Sequence, residues 1–502
     1  MALVDWIIVF VYAISTIAVG WHLGRKQSDT SEYFIGSGRM NPFLIGVSLF
    51  ATLLSTISYL AIPGEVLGKG PAYMAIYLAY PFIFLVLAFV ILPVYMRNRV
   101  TSAYELLEQR LGLSVRLLGA GMFLILRLVW MSLLIHLTAN ALAIMIGVGE
   151  EMVPWIVVAT AVFAITYTSV GGLRAVVTTD LLQSLLLYGG ALLVIGTITW
   201  KMGGFAWFPT EWQSAVWDRQ PIFSLDPSTR VTVVGSMAWV FLFLVCTSAG
   251  DQVSVQRFMS TKDIRGARKA VAMQLAVALV VGATLGLVGL ALLGFFQAHP
   301  DLLPAGESLK SQADQLFPHF IAAHLPPVVT GLVVSGLFAA AMSSIDSGVN
   351  SITAVVTRDF LDRLGRTTLT GRQHLRAARG LAVGIGAIVV MLSTVMEHIP
   401  GNFLAVTNKT TNLLTVPIAL LFLFALFVPF ANAPGVWIAT LASVATAVLA
   451  AFSGVLFGMD PVTGSDPISF QLIAPFSLVA GLAVGLAACK LFSLEVVRRR
   501  VP

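Results

Sequence analysis

Apolar stretches of about twenty residues recur along the whole chain, separated by short polar turns, and that length suits a helix crossing a bilayer. Thirteen are counted, at 3–22, 43–65, 72–95, 114–147, 151–169, 176–199, 231–250, 268–298, 325–358, 374–396, 402–428, 434–456 and 468–492. The longest polar connections, about 200–230, 299–324 and 358–374, leave no room for a water-soluble domain. The pattern predicts an all-α polytopic membrane protein.

Two spans carry interruptions. Span 43–65 contains Ser55-Thr56-Ile57-Ser58-Tyr59 and then Pro63-Gly64, and span 325–358 contains Ser343 to Ser347 and then Gly348. Both are expected to be broken helices, because unwound backbone frees carbonyl oxygens that can hold an ion. Residues 343–347 place three hydroxyls and a carboxylate in one turn at bilayer depth, where polar groups need partners. Hard oxygen ligands without Cys or His suit an alkali cation rather than a transition metal. The stretch therefore predicts a sodium site, and a sodium site among many spans points to transport.

Composition agrees. Of 502 residues, 58% are apolar and 11% charged, with a mean hydropathy of +0.90, whereas soluble domains carry about a quarter charged residues. The net charge of +6 resides in short loops, so it does not argue for nucleic acid. Cys246 and Cys489 lie in apolar runs and read as packed hydrophobes, with no disulfide or metal framework. The first 22 residues lack a basic start and a small-residue cleavage site, so they read as a retained helix.

Charge also sets orientation. The connections after spans one, three, five, seven and nine, with the C-terminal tail, hold 23 of the 30 basic residues. The opposite connections hold only Lys69, Lys201, Arg219, Arg230 and Lys310. By the positive-inside rule the N-terminus is outside and the C-terminus cytoplasmic. Trp207, Trp212 and Trp217 fall in an outer loop and read as interfacial anchors or part of an outer lid.

Four local patterns coincide in order. They are Tyr33-Phe34-Ile35-Gly36-Ser37-Gly38-Arg39 with Gly46 to Ser55, Gly171-Gly172-Leu173-Arg174 to Asp180, Asp251-Gln252-Val253-Ser254-Val255-Gln256-Arg257, and Ala340 to Ser347. Over about residues 1–430 the chain resembles the sodium/solute symporter family, relatives of the sodium–glucose, proline, sialic acid, monocarboxylate, multivitamin and iodide cotransporters. The resemblance implies a LeuT-type core in which five helices are repeated inverted by the next five. It places an extra N-terminal helix and cytoplasmic loop at 1–42, the first repeat at 43–200 and the second at 231–430. Two C-terminal helices and a basic tail occupy 431–502. It implies sodium-coupled import by alternating access in the plasma (inner) membrane, with a monomer expected to suffice.

Site residues follow by position from the resemblance. A first sodium would bind the carbonyls of Ala51, Leu54 and Ala340 and the hydroxyls of Ser343 and Ser344. A second, found in some relatives, would use Asp180 and hydroxyls of the 343–347 stretch, including Ser347. Asp346 stands where some two-sodium relatives have Ser; it strengthens that site or pairs with a cation and leaves it empty. Asp180 reads alternatively as a helix cap. Substrate would meet Ser55, Ser58 and Tyr59, Tyr73 or Tyr77, Phe243 and Thr247, and Asn408, Lys409, Thr411 and Asn412. Lys409 reads as an anion clamp, as a salt-bridge partner of Asp346 or Asp180, or as a snorkelling side chain. In the span 114–147, His136 reads as a proton relay or a satisfied core histidine, and Arg127 as a paired or near-cytoplasmic cation. Ala61-Ile62-Pro63-Gly64-Glu65-Val66 resembles a Pro-x-Glu-Val pattern of the monocarboxylate, multivitamin and iodide branch, which tilts the substrate toward a small organic anion. A sugar or sialic acid symporter and a proton-coupled carrier stay open within the class. A channel would need a filter segment and a sensor an appended domain, and neither is seen. No His-Glu-x-x-His or Gly-x-Ser-x-Gly motif supports an enzyme.

Overall fold

A computed structural model of the chain describes residues 1–24, 34, 36–303, 308–364, 371–396, 403–459 and 466–498. Helices dominate those residues, with irregular connections such as 202–232 and no strand among them. Helix α1 covers Leu3–Gly24, α2 Pro42–Leu53 and α3 Thr56–Gly68. Next come α4 (Pro71–Asn98), the short α5 (Glu105–Leu111), α6 (Leu113–Ile146) and α7 (Val153–Lys201). The second half holds α8 (Val233–Gly250), α9 (Gln252–Met259), α10 (Ile264–Ala298), α11 (Ala313–His324) and α12 (Val329–Leu361). It closes with α13 (Gly371–Ser393), α14 (Phe403–Phe427), α15 (Ala433–Ala451) and α16 (Ile473–Arg498).

Local chemistry sets many of these boundaries. Pro42 starts α2 behind Asn41, whose side chain accepts from the Phe43 amide at 2.9 Å. Thr232, Asp263 and Asn432 cap α8, α10 and α15 in the same way. Inside α7 the backbone breaks at Gly172 (φ 57°, ψ −171°), a conformation open to glycine and strained for other residues. The stretch 151–169, counted as a separate span from sequence, supplies the first part of this helix.

Among the described residues eleven helices are long and apolar enough to cross a membrane, or twelve with α2 and α3 taken as one span bent by 65°. That bend is the interruption expected at Ser55. The second expected interruption is not there: α12 runs unbroken through Ser343–Ser347, ending in a wider turn at Val356–Leu361. Within Ser343–Ser347, all side-chain polar groups but one oxygen of Asp346 find partners on neighbouring helices, so the backbone has no need to unwind. The second break lies instead at Asp251, between α8 and α9. There Asp251 is extended (φ −91°, ψ 122°) and caps α9 through the Val253 amide at 2.8 Å. Tyr95 and Tyr104 donate their hydroxyls to the freed carbonyls of Ala249 and Gly250.

Packing places α12 at the centre, against α7, α6, α1 and α2. Helix α10 covers α2 and α3, while α8 lies against α4 and α14. Helices α15 and α16 pair with each other on the flank of α14. Close approach demands small residues: a Cβ on Gly336 of α12 would sit 2.9 Å from the Leu186 carbonyl of α7.

Candidate functional site

Helix α2 stops at Leu53, and Leu54 and Ser55 are extended before α3 begins. A helix end leaves its last carbonyls without amide partners, so the oxygens of Ala51, Thr52 and Leu53 are available to other groups. Ser344 of α12 donates to the Thr52 carbonyl at 3.3 Å, and Thr56 donates to the Leu337 carbonyl at 3.2 Å. The polar turn of α12 thus lies against the break. Ala340 sits one turn before Ser344 on the same helix, buried like Ser343 and Ser344.

A second polar cluster joins α2, α7, α9 and α12. Asp180 of α7, fully buried, accepts from Ser343 at 2.6 Å and from Ser48. Arg257 of α9, also fully buried, lies 3.6 Å from Asp180 and donates to Ser48 at 2.8 Å and to Ser347 at 2.5 Å. Ser347 in turn meets the Thr52 hydroxyl at 2.8 Å. Asp180, Ser343 and Ser347 therefore share one network, as expected. Ser48 and Arg257 belong to it too and were not chosen from sequence. Asp346 is turned elsewhere: Thr168 of α7 donates to one oxygen, and the other has no hydrogen-bond partner. The pairing of Lys409 with Asp346 or Asp180 is not formed. Lys409 instead meets Asp466 at 2.6 Å, because α14 turns this side chain toward the connection before α16.

Beside these clusters is a cavity of about 80 Å³. Thr52, Leu53 and Ser58 line it from α2 and α3, Tyr73 from α4, and Phe243 and Thr247 from α8. Asn408 and Thr411 line it from α14. A neighbouring space of about 110 Å³ shares Ser58, Tyr73 and Phe243 and adds Tyr77. Of the expected substrate residues, Ser55, Tyr59, Lys409 and Asn412 line neither. Ser55 starts α3, Tyr59 packs on Phe317 with ring centroids 5.4 Å apart, and Asn412 donates to the Asn408 carbonyl at 2.9 Å.

Sequence reasoning missed part of the cavity wall. Arg127 of α6 and Asp251 at the second break form an ion pair there, and Trp130, Trp239, Thr407 and Thr415 complete it. The signal was present in Gly250-Asp251, a helix stop followed by a capping residue inside an apolar run. The cavity is rich in unused donors. Arg127 Nε, Trp130 Nε1, Trp239 Nε1, Thr247 Oγ1 and Asn408 Nδ2 are buried without a hydrogen-bond partner. Orphaned buried donors each cost about 1–3 kcal/mol, a penalty that an acceptor-rich ligand removes.

Residues 33–442 match the family model described as "Sodium:solute symporter family". The chain belongs to the sodium:solute symporter family. This symporter is 29% identical over 501 residues to the sodium/sialic acid symporter SiaT of Proteus mirabilis, covering 94% of this chain and 96% of that one. It is 30% identical over 457 residues to the sodium/sialic acid symporter NanT of Aliivibrio fischeri, covering 88% and 86%. It also superposes on the substrate-bound outward-open state of a Na⁺-coupled sialic acid symporter, with a TM-score of 0.84, 26% identity and 98% of each chain covered. The symporter is thus a sodium-coupled, multi-span membrane transporter with a LeuT-like fold, and not an enzyme.

Proposed function

We propose that this symporter imports a small organic carboxylate with sodium by alternating access, acting as a monomer in the plasma (inner) membrane. The observation that carries the reading is the ring of unused donors around Arg127. Four N–H groups and two hydroxyls, the second on Thr407, belong to residues that line one cavity and have no partner in the protein, and a carboxylate offers about four lone pairs to meet them. An uncharged sugar leaves the guanidinium without an anionic partner beyond Asp251. The sialic acid carried by the relatives is itself a sugar carboxylate.

The first sodium binds the Ala51, Leu54 and Ala340 carbonyls and the Ser343 and Ser344 hydroxyls, tying α12 to the broken helix. The second uses Asp180, Ser347 and Ser343, with Asp346 outside the cradle. Energetics favour two ions for an anionic substrate. With one sodium a monoanion crosses without net charge, and a tenfold gradient yields only about tenfold accumulation. With two, one net charge also gains about 2.3 kcal/mol per 100 mV, giving roughly 5,000-fold accumulation. Counting the bent α2–α3 pair as one span and the two arms of α7 about Gly172 as two, the chain would cross thirteen times with the N-terminus outside. Its units are 1–42, the repeats 43–200 and 231–430, and the C-terminal pair 431–502. Basic loop charge supports this orientation.

Uptake into proteoliposomes under a sodium gradient tests the substrate class, using radiolabelled carboxylates and their amide or alcohol analogues. Acids are expected to accumulate and neutral analogues not. Arg127→Gln is expected to raise KM for the acid by at least tenfold. Equal uptake of acid and neutral analogue by the wild type overturns the carboxylate reading.

A further inference from the structure

The two C-terminal helices lie largely beyond the family match, which ends at residue 442. The turn between them, Asp466 to Gln471, nevertheless grips both sides of the cavity wall. On one side it holds the start of α8. The Ser469 amide donates to the Pro227 carbonyl at 2.8 Å, and its hydroxyl to the Arg230 carbonyl at 2.6 Å. Gln471 accepts from the Thr232 amide at 3.2 Å and donates to the Ser236 hydroxyl at 2.8 Å. The Arg230 guanidinium stands over the Phe470 ring at 5.5 Å and reaches both oxygens of Glu65, near the end of α3, at 2.5 and 2.8 Å. On the other side, Asp466 meets Lys409 of α14 at 2.6 Å.

A polar chain therefore runs from α3 through Arg230, the turn and Asp466 to α14. These are the helices that bring Ser58, Trp239, Thr247 and Asn408 to the cavity, with Asn408 next to Lys409 in sequence. Opening the cavity at this end requires α14 to part from α3 and α8, and the turn spans that gap. Lys409 is only 7% exposed, so its ammonium depends on Asp466 for compensation. A group needed to clamp substrate would point into the cavity, and Lys409 does not line it.

We propose that the turn Asp466–Gln471 is a strap across the outer mouth of the cavity, with Lys409–Asp466 as its clasp. Releasing the clasp lets α14 swing out and admits solvent from outside. The strap gives the C-terminal pair a gating role, and Lys409 acts on access rather than on the substrate. The proposal rests on the orientation given under Proposed function.

The test uses a Cys246→Ser/Cys489→Ser background carrying Thr411→Cys on the cavity wall. A membrane-impermeant maleimide is applied to intact cells and to inverted vesicles. Asp466→Asn and Lys409→Gln are each expected to raise the labelling rate of position 411 from outside about tenfold, and the swap Lys409→Asp/Asp466→Lys to return it toward the parent. Gln471→Ala, which leaves the clasp intact but removes the strap's bonds to Thr232 and Ser236, is expected to raise it in the same direction. A sodium-dependent rise in melting temperature in each variant certifies folding. Unchanged labelling in all three loosening variants overturns the strap, as does a swap that behaves like the singles. Lost uptake in Lys409→Gln with unchanged labelling restores the anion clamp and overturns the gating role. Increased labelling from the cytoplasmic side alone supports the strap and overturns the orientation.

Discussion

Ser344→Ala isolates the ion site from the rest of the fold. The hydroxyl of Ser344 approaches the Thr52 carbonyl at 3.3 Å, a long bond whose loss alone costs little. As a sodium ligand the same oxygen contributes more, because hydrogen-bond-type contacts with a charge are worth about 1.5–3 kcal/mol. Taking about 2 kcal/mol, removal weakens sodium binding roughly 30-fold. At sodium a hundred times the wild-type Kd, binding stabilises the folded state by about 2.7 kcal/mol, and the variant retains about 0.9 kcal/mol. The assay is the melting midpoint of purified protein in detergent, with sodium exchanged for choline at constant ionic strength. The control is Ser335→Ala on the same helix. Ser335 is equally buried but donates to its own Gly331 carbonyl at 2.7 Å, so sodium stabilisation is expected to stay at the wild-type level. A full sodium response in Ser344→Ala refutes the reasoning, as does an equal loss in both variants.

Arg257→Gln leaves the buried Asp180 carboxylate with Ser48 and Ser343 only, and is expected to destabilise the sodium-free protein by about 3–5 kcal/mol; Asp180→Asn in the same chain should recover part of it, read as the coupling in a double-mutant cycle of melting midpoints. Gly172→Ala forces a side chain into φ 57°, ψ −171° and is expected to cost about 1–3 kcal/mol, visible as a lower midpoint with the sodium response retained. Arg363 and Arg116 hold the Glu108 carboxyl below the usual carboxylate range. Its contribution is therefore complete above the ordinary Glu value and fades as pH falls through the depressed one, so Glu108→Gln should flatten the acid limb of midpoint against pH.

The membrane class, the helix count to within one or two, and the break at Ser55 were legible because each has a local cause. Hydropathy over about twenty residues decides whether a segment enters a bilayer, and a Ser-Thr-x-Ser run before Pro63-Gly64 weakens a helix wherever it is placed. The same local logic put Ser343, Ser344 and Ser347 forward, the family resemblance added Asp180, and the fold gathers them. It failed at residues 343–347 in one respect. A polar turn reads as a break only if its side chains lack partners, and here Thr52, Asp180, Arg257 and Thr168 supply them from other helices.

Partner choice is where sequence reading stopped. Arg127 and Asp251 are 124 residues apart, and Thr168 and Asp346 are 178 apart. The sequence offered Lys409 two carboxylates, Asp346 and Asp180, and it took a third, Asp466, a loop residue outside the region that resembles the family. Inside a membrane every buried charge must be answered, so the sequence by itself determined that partners would exist. Which ones meet depends on the rotation and crossing of whole helices, set by the summed packing of their faces, and only the tertiary structure decided that.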